Sequence, residues 1–248
     1  MGENINDSYF DGYYKEIWRK TVPELVTVRE TRFFVDFFGL NSSSHVIDMM
    51  CGYGRHSLAL ASEGIAVTAI DNLKAYIDEI VSSSTISDLP IQAICADILS
   101  APLKEPADLS ICMGNSLNFF PEDDIISLLS RLSNNTKPGG HLVINSWSLT
   151  EIVAKGFINK HWENYDELVF LSEAKYLFQP TRIETQTTVL KNNQAVEIKS
   201  AIDYIFSLSE FERIINQSGF VYQETYSIPG KKRFELGDPR AYIIARKV

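Results

Sequence analysis

Acids and glycines at set spacings are the first chemical signal in this chain. The stretch "VIDMMCGYGRHSLALA" places Asp48 ahead of a turn that carries Gly52 and Gly54. Glycine lets a backbone turn tightly and come close to a ligand. A helix beginning near Arg55 would aim its free N–H groups at whatever occupies that turn. About 20 residues on, "AIDNL" puts Asp71 where a carboxylate accepts hydrogen bonds from both hydroxyls of a ribose. In "CADIL", Asp97 is placed to accept from an adenine amino group while Ile98 covers the ring face. Glycines, helix start and acids together describe a site for an adenosine-bearing cofactor. A G-x-G turn alone is a weak signal, because a tight turn beside a surface acid gives the same letters.

Short apolar runs alternating with amphipathic helices must position those residues. "HVIDMM", "IAVTAID", "IQAICAD", "DLSICMG" and "GGHLVINSW" read as strands. "RHSLALASEG", "LKAYIDEIVSSS" and "EDDIISLLSRLSNN" read as helices, the first closed by Gly64. The rhythm predicts βαβ units, a parallel sheet and right-handed crossovers. Ahead of it, Tyr9, Phe10, Tyr13, Tyr14, Ile17 and Trp18 form one broad apolar stripe at helical spacing. A second helix is predicted from Pro23, suited to a first turn, to Phe38, with Gly39 as its stop. From Trp162 the period changes. "ELVFLSEAKYLFQ", "TRIETQTTVLK" and "QAVEIKSAIDYIF" alternate polar and apolar residues, with Asn192-Asn193 at a hairpin turn. "SLSEFERIINQSGF" then reads as a helix capped by Ser207 or Ser209, before the strands "FVYQETYSI" and "RAYIIARKV". The simplest parse is a single domain over 1–248. Residues 1–40 form an N-terminal helical cap, and 162–206 form an antiparallel lid or substrate insert.

Bulk properties narrow the partners. The net charge is -9 and the pI near 5.0, which argues against a nucleic-acid partner. The one basic cluster, Lys231-Lys232-Arg233, reads as a solvated loop. Cys51, Cys95 and Cys112 form no C-x-x-C pair, so neither a metal site nor a redox motif is expected. The N-terminal residues lack the basic and apolar regions of a signal peptide, and no apolar run is long enough to span a bilayer. A cytoplasmic protein is expected.

The loop does not by itself choose between a dinucleotide and S-adenosylmethionine. The third position of a dinucleotide G-x-G-x-x-G holds Ser57. A dinucleotide also needs a second mononucleotide half, whereas the C-terminal part turns into antiparallel strands. With "AIDNL", "CADIL", "ADLSICMGNSLNFF" and "KPGGHLVI" beside the loop, residues 45–248 resemble a class I S-adenosylmethionine-dependent methyltransferase. The "GNS" turn and the antiparallel insert are most similar to the small-molecule branch that includes glycine N-methyltransferase. The resemblance implies a Rossmann-like α/β fold, with helices on both faces of a mostly parallel seven-stranded sheet whose last strand runs antiparallel. Its cofactor would be S-adenosylmethionine and its acceptor a small molecule, in a monomer or homodimer with no membrane partner. Met50 stands where the family loop has its first glycine, so its backbone is expected to be ordinary and cofactor approach to rely on Gly52 and Gly54.

The resemblance also implies roles. Asp48 would hold the cofactor's ammonium and Arg55 its carboxylate. Tyr13, Tyr14 and Trp18 would cover the sulfonium, since aromatic faces attract cations. Further cofactor contacts are expected at Met50, Cys51, Tyr53, Asn72, Leu73, Met113 and Asn115, besides Gly52, Gly54, Asp71, Asp97 and Ile98. His56 is expected to pack on the loop and His141 in the core. No general base stands out. Candidates for orienting a substrate are Asn115, Asn145 and Trp147 at strand ends, with Arg182, Tyr204 and Arg240 converging from the insert and the last strand. The rival readings are an NAD(P)-dependent oxidoreductase and a non-catalytic adenosine-cofactor-binding module.

Overall fold

A computed structural model describes residues 4–248. The first three residues of the expected N-terminal cap lie outside the described residues. A short 3-10 turn, Ile5–Ser8, precedes α1 (Tyr13–Thr21) and α2 (Glu24–Phe38). The aromatic stripe is helical only from Tyr13, because Gly12 at φ 65 breaks the chain and leaves Tyr9 and Phe10 in the preceding turn. Pro23 is the extended N-cap of α2 rather than its first residue, and Gly39 closes the helix in the left-handed region.

The alternating part follows as β1 (His45–Met49), α3 (Arg55–Ser62), β2 (Ala66–Asp71), α4 (Lys74–Ile86), β3 (Ile91–Cys95) and β4 (Ala107–Cys112). It continues through α5 (Glu122–Asn134), β5 (Thr136–Ser146) and α6 (Thr150–Gly156). Four antiparallel strands come next: β6 (Lys160–Tyr165), β7 (Leu168–Phe178), β8 (Thr181–Lys191) and β9 (Gln194–Tyr204). Asn192 and Asn193, at φ 52 and 61, make the tight turn between β8 and β9. The chain ends with α7 (Leu208–Gln217), β10 (Phe220–Ile228), β11 (Lys232–Arg233) and β12 (Ala241–Lys247). Ser207 caps α7 in a full capping box with Glu210. The basic cluster is not a free loop. Lys232 pairs with Asp238, and Arg233 with Glu224, at the sheet edge.

The main sheet runs β11-β10-β12-β5-β4-β1-β2-β3, and β6 to β9 form a second sheet. This is the expected seven-stranded sheet with a two-residue edge strand added. Strands β1 to β5 pair in parallel, and β12 runs antiparallel between β5 and β10. All of β1 is buried, as befits a central strand covered on both faces. Its alternation divides the core. Val46 joins Phe34, Leu60 and Ile80 under α2, α3 and α4, while Ile47 and Met49 join Leu128, Leu132 and Phe211 under α5 and α7. Among the described residues no helix is long and apolar enough to cross a membrane.

Candidate functional site

Strand order reverses between β1 and β4, and a cleft opens at their C-terminal ends. The β1–α3 loop forms its floor. Met50 has φ 52, against the expectation of an ordinary backbone: the loop keeps its left-handed first position although the residue there carries a side chain. Gly52 and Gly54, at φ 56 and 78, do different jobs. A Cβ on Gly52 would meet no protein atom within 4 Å, so this backbone faces the open cleft. A Cβ on Gly54 would fall 2.5 Å from Ile80 Cγ1, so its glycine serves the packing of the loop on α4.

The three acids read from the sequence all line the cleft. Asp48 is buried and accepts a 2.6 Å hydrogen bond from Ser57 Oγ, the residue in the third-glycine position. Burial raises its carboxyl above the usual range, with the charges of His56 and Arg55 and the bonds from Ser57 opposing. Asp71 accepts from the Gly52 amide at 2.8 Å and the Leu73 amide at 3.0 Å, tying the loop to the end of β2. Burial raises its carboxyl too, against those two bonds. A carboxylate has about four acceptor sites, so both acids keep capacity for a ligand. Asp97 is exposed and accepts from the Leu99 amide at 2.9 Å, while Ile98 behind it is buried. Cys51, Tyr53, Asn72, Leu73 and Met113 line the same cleft.

Arg55 and His56 correct the sequence reading. Both line the cleft, yet both turn to α2. Arg55 Nη1 donates to Glu30 Oε2 at 2.6 Å and His56 Nε2 meets the same oxygen at 2.9 Å. The Tyr242 hydroxyl donates to the other carboxylate oxygen at 2.6 Å. His56 is thus held against a buried acid rather than on the loop. His141 is half-buried against Phe38, at the edge of the core.

The far end of the cleft is lined by Asn115, Trp147, Tyr14 and Trp18. Tyr13 is absent from that lining and packs against Ile17 and Leu168. Asn115 is buried in the left-handed region at φ 67. Its oxygen accepts from the Trp147 and Ser148 amides at 2.9 and 3.0 Å, and its amide donates to Asp203 Oδ1 at 2.7 Å. Asn145 bonds Gly114 and Ala241 and props this turn from below. The Trp18 and Trp147 rings lie 5.9 Å apart.

Three candidates are not brought here. Arg182 folds onto its own hairpin, bonding Glu184 and the carbonyls of Gln179 and Pro180. Tyr204 faces the opposite side of β9 from the cleft and packs on the core. Arg240 lies beside Tyr242, away from the cleft.

Asp203 is the residue the sequence reading missed. It lies on β9 and enters the cleft with Ala201 and Thr185. The alternation Ala201, Asp203, Ile205 was the available signal: the acid interrupts a face whose neighbours are both buried. The N-terminal segment was missed as well. Asn6 bonds the Ile202 amide and carbonyl at 2.9 and 3.0 Å and the Phe119 carbonyl at 3.3 Å, clamping the cap across the cleft onto the insert.

Comparison with known proteins follows this geometry. Residues 46–140 match the methyltransferase domain family. A carboxy-S-adenosyl-L-methionine synthase of Shewanella woodyi is 25% identical over 153 residues, 58% of this chain and 62% of that protein. A glycine/sarcosine N-methyltransferase of Aphanothece halophytica is 23% identical over 167 residues, 66% of this chain and 63% of that protein. The chain therefore spans somewhat under two thirds of these curated relatives. A solved S-adenosylmethionine-dependent methyltransferase from Clostridium acetobutylicum superposes with TM-score 0.80 at 16% identity, covering 95% of this chain and 96% of that one, a likeness of fold. The choice the loop left open falls to S-adenosylmethionine: residues 46–140 match a methyltransferase domain, and the chain has the fold of solved S-adenosylmethionine-dependent methyltransferases.

Proposed function

We propose that this protein transfers a methyl group from S-adenosylmethionine to a small-molecule acceptor. The observation that carries the reading is one continuous cleft with an open glycine backbone and three acids at one end, and a preorganised polar and aromatic group at the other. The bound cofactor supplies an electrophilic methyl group on a sulfonium. Asp71, Asp97 and Ile98, with Asn72 and Leu73, would hold its adenosine. Asp48, Met50, Cys51, Gly52, Tyr53 and Arg55 would surround its amino-acid end, Arg55 remaining tied to Glu30. Tyr14, Trp18, Met113 and Asn115 would flank the sulfonium. The chain's contribution is alignment of the acceptor and exclusion of water, a role for which the cap and the insert meet over the cleft. Residues 1–40 and 162–206 thus act as cover and substrate wall of a single domain. The net charge of -9 supports a metabolite rather than a nucleic acid as acceptor.

The Shewanella relative's name raises a second reading, formation of a carboxylated S-adenosylmethionine. The cleft speaks against it. Five aspartates line it (Asp7, Asp48, Asp71, Asp97 and Asp203), and its one arginine, Arg55, is already paired. Among the described residues an added carboxylate would find no free cation there.

Thermal shift with S-adenosylhomocysteine and, separately, with NAD tests the cofactor. Stabilisation by NAD alone would refute the reading. Transfer of labelled methyl into a fractionated metabolite pool tests the acceptor class, and label appearing in protein or RNA instead overturns it.

A further inference from the structure

We propose that the acceptor is an amine nitrogen, that Asp203 Oδ2 takes its proton, and that Tyr14, Trp18 and Trp147 face the cation. This rests on the methyltransferase reading and specifies its acceptor.

Asp203 is built as a fixed carboxylate with one working oxygen. Its Oδ1 accepts from Asn115 Nδ2 at 2.7 Å and from Ser148 Oγ at 3.4 Å. Asn115 is itself locked by the backbone amides of Trp147 and Ser148, at the ends of the central strands. Among the described residues Oδ2 takes no hydrogen bond, and no cation pairs with the carboxylate. A fold gains nothing from a half-buried charge left without a partner, since its desolvation goes uncompensated. A cationic ligand would compensate it.

The surroundings select the kind of cation. Tyr14 stacks along Trp18 at 6.3 Å between ring centres, and Trp18 meets Trp147 at 5.9 Å, so aromatic faces border the same space. An ammonium group satisfies both features, through charge on the carboxylate and its flanks on the rings. A hydroxyl acceptor brings no charge to either. The phenols of Tyr9 and Tyr14 feel the Asp203 charge, and Tyr9 also that of Glu197 on the same face of β9; both are held protonated, first by burial and then by these carboxylates. Burial pushes Asp203 up to about 7, against the bonds from Ser148 and Asn115. That lies near the range of an amine of the α-amino type, about 7.7–8.0, where proton transfer is efficient.

The step balances. An ammonium proton passes to Asp203 Oδ2. The freed nitrogen lone pair forms the N–C bond to the methyl group as the C–S bond breaks, with its electron pair left on sulfur. The product carries the positive charge on nitrogen, against the aromatic wall, and Asp203 returns its proton to solvent.

The test uses the full chain and tetramethylammonium, a cation without protons, with tert-butanol as its neutral counterpart. Binding is read by quenching of tryptophan fluorescence in the S-adenosylhomocysteine complex. Tetramethylammonium should bind and tert-butanol should not. Its affinity should rise as pH passes upward through about 7, where Asp203 ionises. Asp203→Asn should weaken it at least about tenfold and flatten the pH dependence, while S-adenosylhomocysteine affinity, by calorimetry, stays within about twofold. Should the variant not fold, the pH dependence of the wild type decides. Equal binding of cation and neutral probe, or a pH-independent affinity, overturns the amine assignment and leaves the methyltransferase reading standing. No binding of S-adenosylhomocysteine to the wild type removes both. In the metabolite assay, label on nitrogen supports the proposal and label on oxygen or carbon refutes it.

Discussion

Removing the charge of Glu30 should unfold this protein more readily than any other single neutralisation in the network behind the loop. Glu30 is 2% exposed and receives Arg55, His56 and Tyr242 at 2.6, 2.9 and 2.6 Å. Burial alone would raise its carboxyl. The hydrogen bond and charge of His56, the Arg55 guanidinium and the Tyr242 phenol outweigh that and bring it to about 2, from 4.5. A carboxyl lowered on folding stabilises fully above its unfolded value, and the stabilisation is lost as pH falls through the folded one. At ~1.36 kcal/mol per pH unit, the drop is worth about 3 kcal/mol. All of it is present at pH 7, and it fades between pH 4.5 and about 2. Glu30→Gln keeps the shape and leaves Arg55, whose side chain is 13% exposed, without a counter-charge. The expected loss at neutral pH is about 3 kcal/mol, a Tm lower by roughly 6–12 °C for a domain of this size. Urea unfolding of both proteins from pH 7 downward reads it, and the gap should narrow below pH 4.5. A gap under about 1 kcal/mol at pH 7, or one that does not change with pH, refutes the reasoning.

Two substitutions separate the jobs of the loop. Gly54→Ala places a Cβ 2.5 Å from Ile80 Cγ1 at φ 78, and should destabilise by about 2 kcal/mol or more in chemical denaturation, with partial relief in a double variant carrying Ile80→Ala. Asp71→Ala deprives the Gly52 and Leu73 amides of their acceptor, and calorimetry should find S-adenosylhomocysteine bound at least about tenfold more weakly, with a much smaller effect on Tm. Unchanged affinity would move the cofactor's ribose away from β2.

The parallel half of the fold was legible because its signals are local. Each strand from β1 to β5 is an apolar run closed by a turn residue, and helix ends are marked by Gly39, Gly64 and the Ser207–Glu210 box. The hairpin at Asn192-Asn193 was legible for the same reason, as both residues tolerate positive φ. Misreadings fell where neighbours decide. The stripe from Tyr9 to Trp18 has helical spacing, yet the helix starts only after Gly12, where the chain turns at φ 65 and a Cβ would collide with the Glu197 carboxylate of the insert. Met50 shows the opposite case. A sequence rule gives a non-glycine an ordinary backbone, but the loop must expose Gly52 to the cleft and let the Cys51 amide reach the Ile70 carbonyl at 3.0 Å, and these constraints hold Met50 at φ 52.

The acids of the site were legible for a related reason and the basic residues were not. Asp48, Asp71 and Asp97 sit at strand ends, and a parallel sheet carries every strand end to one edge, so position along the chain fixes position in space. Arg55 and His56 sit at the same edge, but where a long side chain points depends on what it meets, and Glu30, 25 residues upstream of Arg55, decides it. Arg182 and Arg240 failed likewise, each finding a partner nearer than the cleft. Asp203 reaches the site only because β9 is drawn over it, by Asn6 on one side and by Asn115, 88 residues earlier, on the other. Its signal is a parity, an acid between Ala201 and Ile205 on the inward face of β9, which carries meaning only once that face is known to look into the cleft. The cofactor end of the cleft is therefore written in turns, and the end proposed for the acceptor in contacts between distant segments, which is why the cofactor could be read from the sequence and Asp203 only from the structure.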